Sequence, residues 1–246
     1  MAFSDDEIER YARHLVLSEV GGPGQQKLAA ARVLIVGAGG VGGPAALYLA
    51  AAGVGTIGLI DADTVGLSNL QRQIVFATAD IGRTKVEVAR ERLTALNPHV
   101  RIEAHPVALT RDNAMALVAA HDLVIDGTDD FETRFAVNAA CVAGGVPLVS
   151  GALGRWSGQI GVFGCRPCYR CLVAEAPPEA ETCARVGVVG ALAGIVGAMT
   201  ALEAIKLITG AGEPLTGRLM LYDGLSATAR TVRVTPDPDC PVCSRV

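Results

Sequence analysis

Val33-Leu34-Ile35-Val36-Gly37-Ala38-Gly39-Gly40-Val41-Gly42 decides the fold. The four apolar residues after Arg32 read as a strand buried on both faces. Pro44 to Ala52 continues as a helix, since proline is tolerated in a first turn. A glycine-rich turn between strand and helix lets main-chain N–H groups and the positive helix end meet a phosphate. Gly37 permits the tight turn, and Gly39, with Gly40 beside it, lets the backbone approach the anion. Gly42 allows close packing of helix on strand. A second strand, Gly55 to Ile60, ends in Asp61, where a carboxylate can accept both hydroxyls of a ribose.

The same alternation runs onward from this unit. Helices are predicted over Thr84–Leu96, Asn113–Ala120 and Phe135–Ala143, and strands over Val100–Ala104, Leu123–Ile125 and Pro147–Val149. The pattern specifies an α/β protein with a Rossmann-like, doubly wound, mostly parallel sheet. Upstream, Ser4 and Glu7 have the spacing of a capping box. Ile8, Tyr11, Ala12 and Leu15 fall on one face of the helix they open. Gly21-Gly22-Pro23-Gly24 breaks that pattern before a short helix from Gln25 to Ala31. Downstream, strands are predicted over Gln159–Phe163, Arg218–Tyr222 and Thr231–Val234. The chain thus reads as a single domain over 1–246: a helical arm over 1–31, a nucleotide-binding half over 32–150, and an elaborated half over 151–246.

Composition narrows the class. Of 246 residues, 50% are hydrophobic and 19% charged, which excludes disorder. A net charge of -4 argues against a nucleic-acid surface. The acidic N-terminus carries no secretory signal, so a cytoplasmic protein is expected, with seven cysteines as thiols or metal ligands. Val186 to Leu202 is small or apolar apart from Thr200, with Gly190 and Gly194 in GxxxG spacing. Sparse bulky residues, and Glu203 and Lys206 close behind, favour a core or subunit-interface helix over a membrane span.

The glycine loop and Asp61 alone fit a redox enzyme using NAD equally well. Ser68-Asn69-Leu70-Gln71-Arg72-Gln73 and Lys85 separate the two cases. Arg72 can grip phosphate bidentately, Lys85 can place a point charge on it, and Asn69 can bind phosphate or ribose without adding charge. Each alone reads as a solvated helix residue or a cap; together, just past an Asp-ended strand, they point to a triphosphate. Asp126-Gly127-Thr128-Asp129-Asp130 follows another strand at its C-terminal end, where open α/β sheets hold ligands. Asp129 is placed there as a Mg²⁺ ligand beside phosphate, while Asp130 and Asp126 read as turn and helix-capping residues.

Two CxxC pairs, Cys168/Cys171 and Cys240/Cys243, suit one tetrahedral Zn²⁺ that pins the tail to the middle of the chain. Cys165 overlaps the first pair and competes for the ion. Cys141 lies in an apolar helix and reads as core. Cys183, beside Arg185, reads equally as a nucleophilic or sulfur-transfer thiol and as an idle loop cysteine.

Taken in order over nearly the whole chain, these motifs resemble the ThiF/MoeB/HesA-type adenylyltransferases, bacterial relatives of the ubiquitin-activating enzyme. The resemblance implies adenylation, with MgATP, of the C-terminal glycine of a ubiquitin-like sulfur-carrier protein, releasing pyrophosphate. It assigns the ribose to Asp61, the triphosphate to Asn69, Arg72 and Lys85, and Mg²⁺ to Asp129, with Gln73 and Thr128 at the nucleotide. Residues 151–246 become the carrier-binding and zinc half. Arg13 matches an arginine supplied by a partner subunit's N-terminal helix, so a homodimer is expected. Cys183 matches a cysteine whose role varies within the family. The family often has Asn where this chain has Asp130. The sulfur donor is expected to be a separate cysteine desulfurase or rhodanese-type protein, with neither nucleic acid nor membrane as partner. Molybdopterin, thiamine and other thio-cofactor pathways all remain open. Alternatives are an NAD-dependent oxidoreductase and a non-catalytic, zinc-stabilised binder of a ubiquitin-like protein; the first leaves Asn69, Arg72, Lys85 and the cysteine pairs unexplained.

Overall fold

The structure is a computed structural model that describes residues 3–177 and 187–244. In chain order its elements are α1 (Asp5–Leu15), α2 (Gly21–Ala30), β1 (Arg32–Val36), α3 (Gly42–Ala51), β2 (Thr56–Ile60), α4 (Lys85–Leu96), β3 (Arg101–His105), α5 (Arg111–Ala119), β4 (Leu123–Asp126), α6 (Phe131–Gly144), β5 (Leu148–Gly154), β6 (Ser157–Phe163), α7 (Tyr169–Leu172), α8 (Gly190–Thr209), β7 (Arg218–Asp223) and β8 (Thr228–Arg233). The strands form one eight-stranded sheet in the order β3-β2-β1-β4-β5-β6-β7-β8. β1 to β5 are parallel, and β6, β7 and β8 continue antiparallel. The order reverses between β1 and β4, the switch point where ligands bind in such sheets.

Side chains alternate across the sheet and build a core on each face. Val33 and Ile35 join Leu49, Leu59, Val86 and Val196 on the face covered by α3, α4 and α8. Leu34 and Val36 join Val118, Val124 and Val137 under α5 and α6.

α8 has a mean hydropathy of 1.7 and is long and apolar enough to cross a membrane, yet it packs on α3, β5 and α2. A Cβ at Gly197 would lie 2.6 Å from the Val41 carbonyl, so glycine is what allows α8 to approach α3 this closely. Its polar end is satisfied internally: the buried Glu203 accepts from Lys206 at 2.6 Å and from the Leu215 N–H at 2.7 Å.

Several boundaries differ from those predicted. Gly21 to Gly24 opens α2 rather than breaking a helix. Gly21 takes a positive φ of 55°, and Pro23 falls in the first turn, where its missing N–H costs nothing. In α1 the capping box forms, but of the proposed face only Tyr11 is buried, while Ile8 is 48% exposed. α1 is held chiefly at Tyr11, whose hydroxyl accepts from the buried Asn97 at 2.9 Å, while Ala12 and Leu15 are only partly covered. α6 starts four residues earlier than Phe135, because Asp130 caps it through the Thr133 N–H at 2.7 Å.

Candidate active site

A cavity of about 1150 Å³ runs along the C-terminal ends of the parallel strands, from the glycine loop to β7 and β8. At its floor β1 and β4 exit almost in backbone contact. A Cβ at Gly42 would stand 1.8 Å from the Gly37 carbonyl, and one at Gly127 only 2.8 Å from the Gly42 nitrogen. Gly37 has a φ of 88°, which L side chains rarely adopt. These turns bring Gly39 and Gly40 to the cavity wall at the head of α3. There the Gly43 N–H is spent on the Gly39 carbonyl at 2.9 Å and Pro44 has none, so the Gly42 N–H is the first-turn donor without a partner among the described residues.

Asp61 lies on the same rim. Its carboxylate accepts from the Ala38 and Asp63 N–H groups, each at 2.9 Å. Burial pushes its pKa above the usual aspartate value, against the pull of Lys85 and these two donors. Lys85, at the start of α4, is 5% exposed; its ammonium lies 2.7 Å from Asp63 and 3.8 Å from Asp61. The Asp63 side chain is 71% exposed, so Lys85 is a nearly buried cation held from the solvent side by a carboxylate that sequence reasoning missed. The signal for Asp63 was faint: a carboxylate two residues beyond the ribose candidate.

Asn69 closes a short 3-10 turn by accepting the Gly66 N–H at 3.0 Å, which leaves its amide nitrogen free of any hydrogen bond among the described residues. Arg72 donates to the Ser68 carbonyl at 3.0 Å and lines the cavity next to Gly40. Gln73 is buried against Gly39, and its Oε1 has no hydrogen-bond partner among the described residues. An orphaned buried amide oxygen is costly unless a ligand donates to it.

Opposite, Thr128 and Asp129 line the cavity. Asp129 is exposed and forms neither an ion pair nor a hydrogen bond among the described residues, while Asp130 is spent on capping α6. Asp126 is not a cap. It is 1% exposed and pairs with Arg134 at 3.2 Å, and it accepts the Thr128 N–H at 3.0 Å and hydroxyl at 2.6 Å. Arg134 is buried too; burial disfavours its charge, and Asp126, Tyr169 and Asp129 together outweigh that. The available signal for it was an Arg among the mostly apolar residues of α6.

Cys168, Cys171, Cys240 and Cys243 bring their sulfurs within 4.8 Å of one another. The Cys168–Cys240 and Cys171–Cys243 separations are 3.6 and 3.4 Å. These are far beyond a disulfide bond of about 2.05 Å and close to the roughly 3.8 Å edge of a zinc–thiolate tetrahedron. Asn138 on α6 donates to Cys168 Sγ at 3.5 Å and accepts the Tyr169 N–H at 2.8 Å, the kind of outer contact that orients a metal ligand. Cys165 is not part of the cluster; its thiol points at the Val142 carbonyl. Cys141 is core, its thiol pushed up to about 12 by burial. Arg13 sits exposed on α1 and does not line the cavity of its own chain. Cys183 and Thr182 lie outside the described residues.

The sequence matches one family description, the ThiF family, over residues 11–242. It is 46% identical to the "Sulfur carrier protein adenylyltransferase" of Thermus thermophilus, covering 99% of this chain and 93% of that protein. It is 45% identical to the "Molybdopterin-synthase adenylyltransferase" of Escherichia coli, over 98% of both chains. The "Probable adenylyltransferase/sulfurtransferase MoeZ" of Mycobacterium tuberculosis is 47% identical over 98% of this chain, which spans 63% of that longer protein. Among solved structures, that of E. coli MccB with MccA-N7isoASN superposes with a TM-score of 0.84 at 23% identity, over 98% of this chain and 75% of that one. That likeness speaks for the fold alone.

Proposed function

The chain belongs to the ThiF family, and from that premise we infer that it is an adenylyltransferase that activates a ubiquitin-like sulfur-carrier protein with ATP. The observation that carries this reading is one cavity in which a glycine loop, Arg72, Lys85 and Asp129 meet at the switch point, and which runs on to the antiparallel strands. The first part suits a nucleoside triphosphate, and the continuation has room for the end of a second substrate. Adenylyltransferase relatives of near-equal length set the redox alternative aside.

The reaction joins two anions. The carrier's terminal carboxylate attacks the α-phosphorus of ATP in line and pyrophosphate leaves, so repulsion dominates the barrier. Asp61 accepts the ribose hydroxyls. The N–H groups of Gly39, Gly40 and Gly42 take phosphate oxygens, those of Gly37, Ala38 and Gly43 being already bonded within the chain. Gln73 Oε1 gains the donor it lacks when the nucleotide is bound. Lys85 exchanges Asp63 for phosphate, and Arg72 and the Asn69 amide hold the leaving group. No general base is required, since a carboxylate is ionised near neutral pH. Asp129 fits Mg²⁺ because it is unpaired at the strand edge; the ion would neutralise developing charge on the phosphates. The four cysteines fit a structural Zn²⁺ that ties the tail to α7.

Two chains complete the site in this reading. Arg13 is turned away from its own cavity because α1 is docked on its own chain, Tyr11 to Asn97 and His14 to Gln25 at 3.0 Å. Val16 and Leu202 are 77% and 55% exposed, apolar surface that a second copy would cover. Sulfur then comes from a separate cysteine desulfurase or rhodanese-type protein in the cytoplasm.

The test is ATP–pyrophosphate exchange with a panel of sulfur carriers from the molybdopterin, thiamine and related thio-cofactor pathways. One carrier is expected to stimulate exchange, and Arg72→Ala or Lys85→Ala to abolish it with the fold intact. Unchanged exchange in both variants refutes the site. Mixing Arg13→Ala with Arg72→Ala protein is expected to restore part of the activity, because one of the two mixed sites then has both arginines.

A further inference from the structure

Arg134 ties together the two walls of the cavity from below. Its NH2 donates to the Thr128 carbonyl and, at 3.1 Å, to that of Gly151. Its NH1 donates to Ser150 Oγ at 3.1 Å and pairs with Asp126 at 3.2 Å. Ser150 in turn donates to that same Asp126 oxygen at 2.9 Å, while the other oxygen takes Thr128. Thr128 is therefore gripped at its nitrogen, hydroxyl and carbonyl by this one buried pair. On the far side of Asp129, Asp130 is fixed as the cap of α6. Asp129 is thus a free carboxylate on a mount clamped at both neighbours. On the other wall, Gly151 begins the stretch of β5 that lines the cavity on the way to β6.

A buried ion pair adds little to stability, since apolar replacements of similar volume are often neutral or better. What an arginine offers, and an apolar residue does not, is a planar fork of five donors that can hold two carbonyls and a carboxylate at once. We propose that Arg134 is a positioning residue for adenylation: it sets the distance between the Asp129 wall and the exit of β5, and so between the triphosphate and the attacking carboxylate. This rests on the adenylyltransferase reading above.

The test is Arg134→Lys in the full-length protein. Lysine keeps the charge beside Asp126 but cannot bridge Thr128 and Gly151 as the fork does. Carrier-dependent exchange is expected to lose about 100-fold in kcat, the usual effect of misplacing reacting groups by about 1 Å. KM for the carrier, and affinity for a non-hydrolysable ATP analogue measured by calorimetry, are expected to stay within about threefold, as such a loss falls on orientation alone. Arg134→Ala is expected to recover part of its kcat with added guanidinium. Exchange by Arg134→Lys within threefold of wild type overturns the proposal, as does a kcat loss matched by equal loss of analogue affinity. If Arg134→Lys does not fold, Asp126→Asn/Arg134→Gln, a neutral hydrogen-bonding pair, is read by the same criteria. A wild-type protein inactive with every carrier counts instead against the adenylyltransferase reading.

Discussion

Replacing Gly190 by alanine should disable the nucleotide site from behind. Gly190 is the first residue of α8, and a Cβ there would stand 2.1 Å from the Gln71 carbonyl oxygen. A carbon–oxygen contact needs about 3.3 Å, so something must move by roughly 1 Å. α8 is the stiffer partner, because it is interlocked with α3 at Gly197 and anchored by Glu203. The segment carrying Arg72 and Gln73 therefore gives way. Overpacking of this kind costs about 1–3 kcal/mol. That corresponds to a fall in unfolding midpoint of about 2–12 °C for a chain of this size, which leaves the protein folded. A 1 Å displacement of the phosphate-binding groups lowers exchange about 100-fold, or about 2.7 kcal/mol of barrier. Pyrophosphate exchange and thermal unfolding, measured on the same preparation, separate the two effects. Gly194→Ala is the control, since its methyl would enter open space; it should leave exchange within about twofold and gain up to about 1 kcal/mol of helix stability. Equal exchange by Gly190→Ala and wild type would refute the view that α8 buttresses the Arg72 segment.

Asp61→Asn should raise the unfolding midpoint of the nucleotide-free protein near pH 7.5 while weakening ATP binding at least about tenfold, because a buried carboxylate with a raised pKa opposes folding once ionised. The native fold holds that proton more tightly than the unfolded chain does. Stability is therefore lost as pH rises through the folded pKa, and the gap between the two proteins should close below about pH 4; a lower midpoint for the variant near pH 7.5 would contradict this. Asp63→Asn should tighten ATP binding by up to about fivefold in calorimetry, since ATP no longer displaces an exposed partner of Lys85 worth at most about 1 kcal/mol; weaker binding would mean that Asp63 itself touches the nucleotide. Asn138→Ala should release the metal to a competing chelator about 10–100-fold more readily; an unchanged competition curve would reduce Asn138 to packing.

The nucleotide half was legible because its signals are local. The turn of Gly37 to Gly42, the buried strand before it and Asp61 after the next strand lie close together, and only a few backbone shapes fit those glycines. The cysteine pairs were legible because thiols at that spacing have few uses. What was not legible depends on residues far apart in sequence. The Arg134–Asp126–Ser150 network joins α6, β4 and β5, and nothing in their local patterns announces it. Gly21 to Gly24 misled because glycine and proline punctuate loops more often than they open helices, and only packing of α2 against α8 decides the case. Strands β6 to β8 were recognised one by one. That they extend the same sheet follows from register, which pairs Ser157 with both Gly154 and Asp223.

The open ends of that sheet bear on how the protein behaves at high concentration. An unpaired strand offers a row of free N–H and C=O groups to any other chain. The two rims here are β3, with Arg101 and Glu103, and β8, with Arg230 and Arg233. Charges spaced along a rim make edge-to-edge stacking costly, because each added copy would bury them or set like charges side by side. An open sheet of eight strands would otherwise be a template for aggregation, and those side chains oppose it.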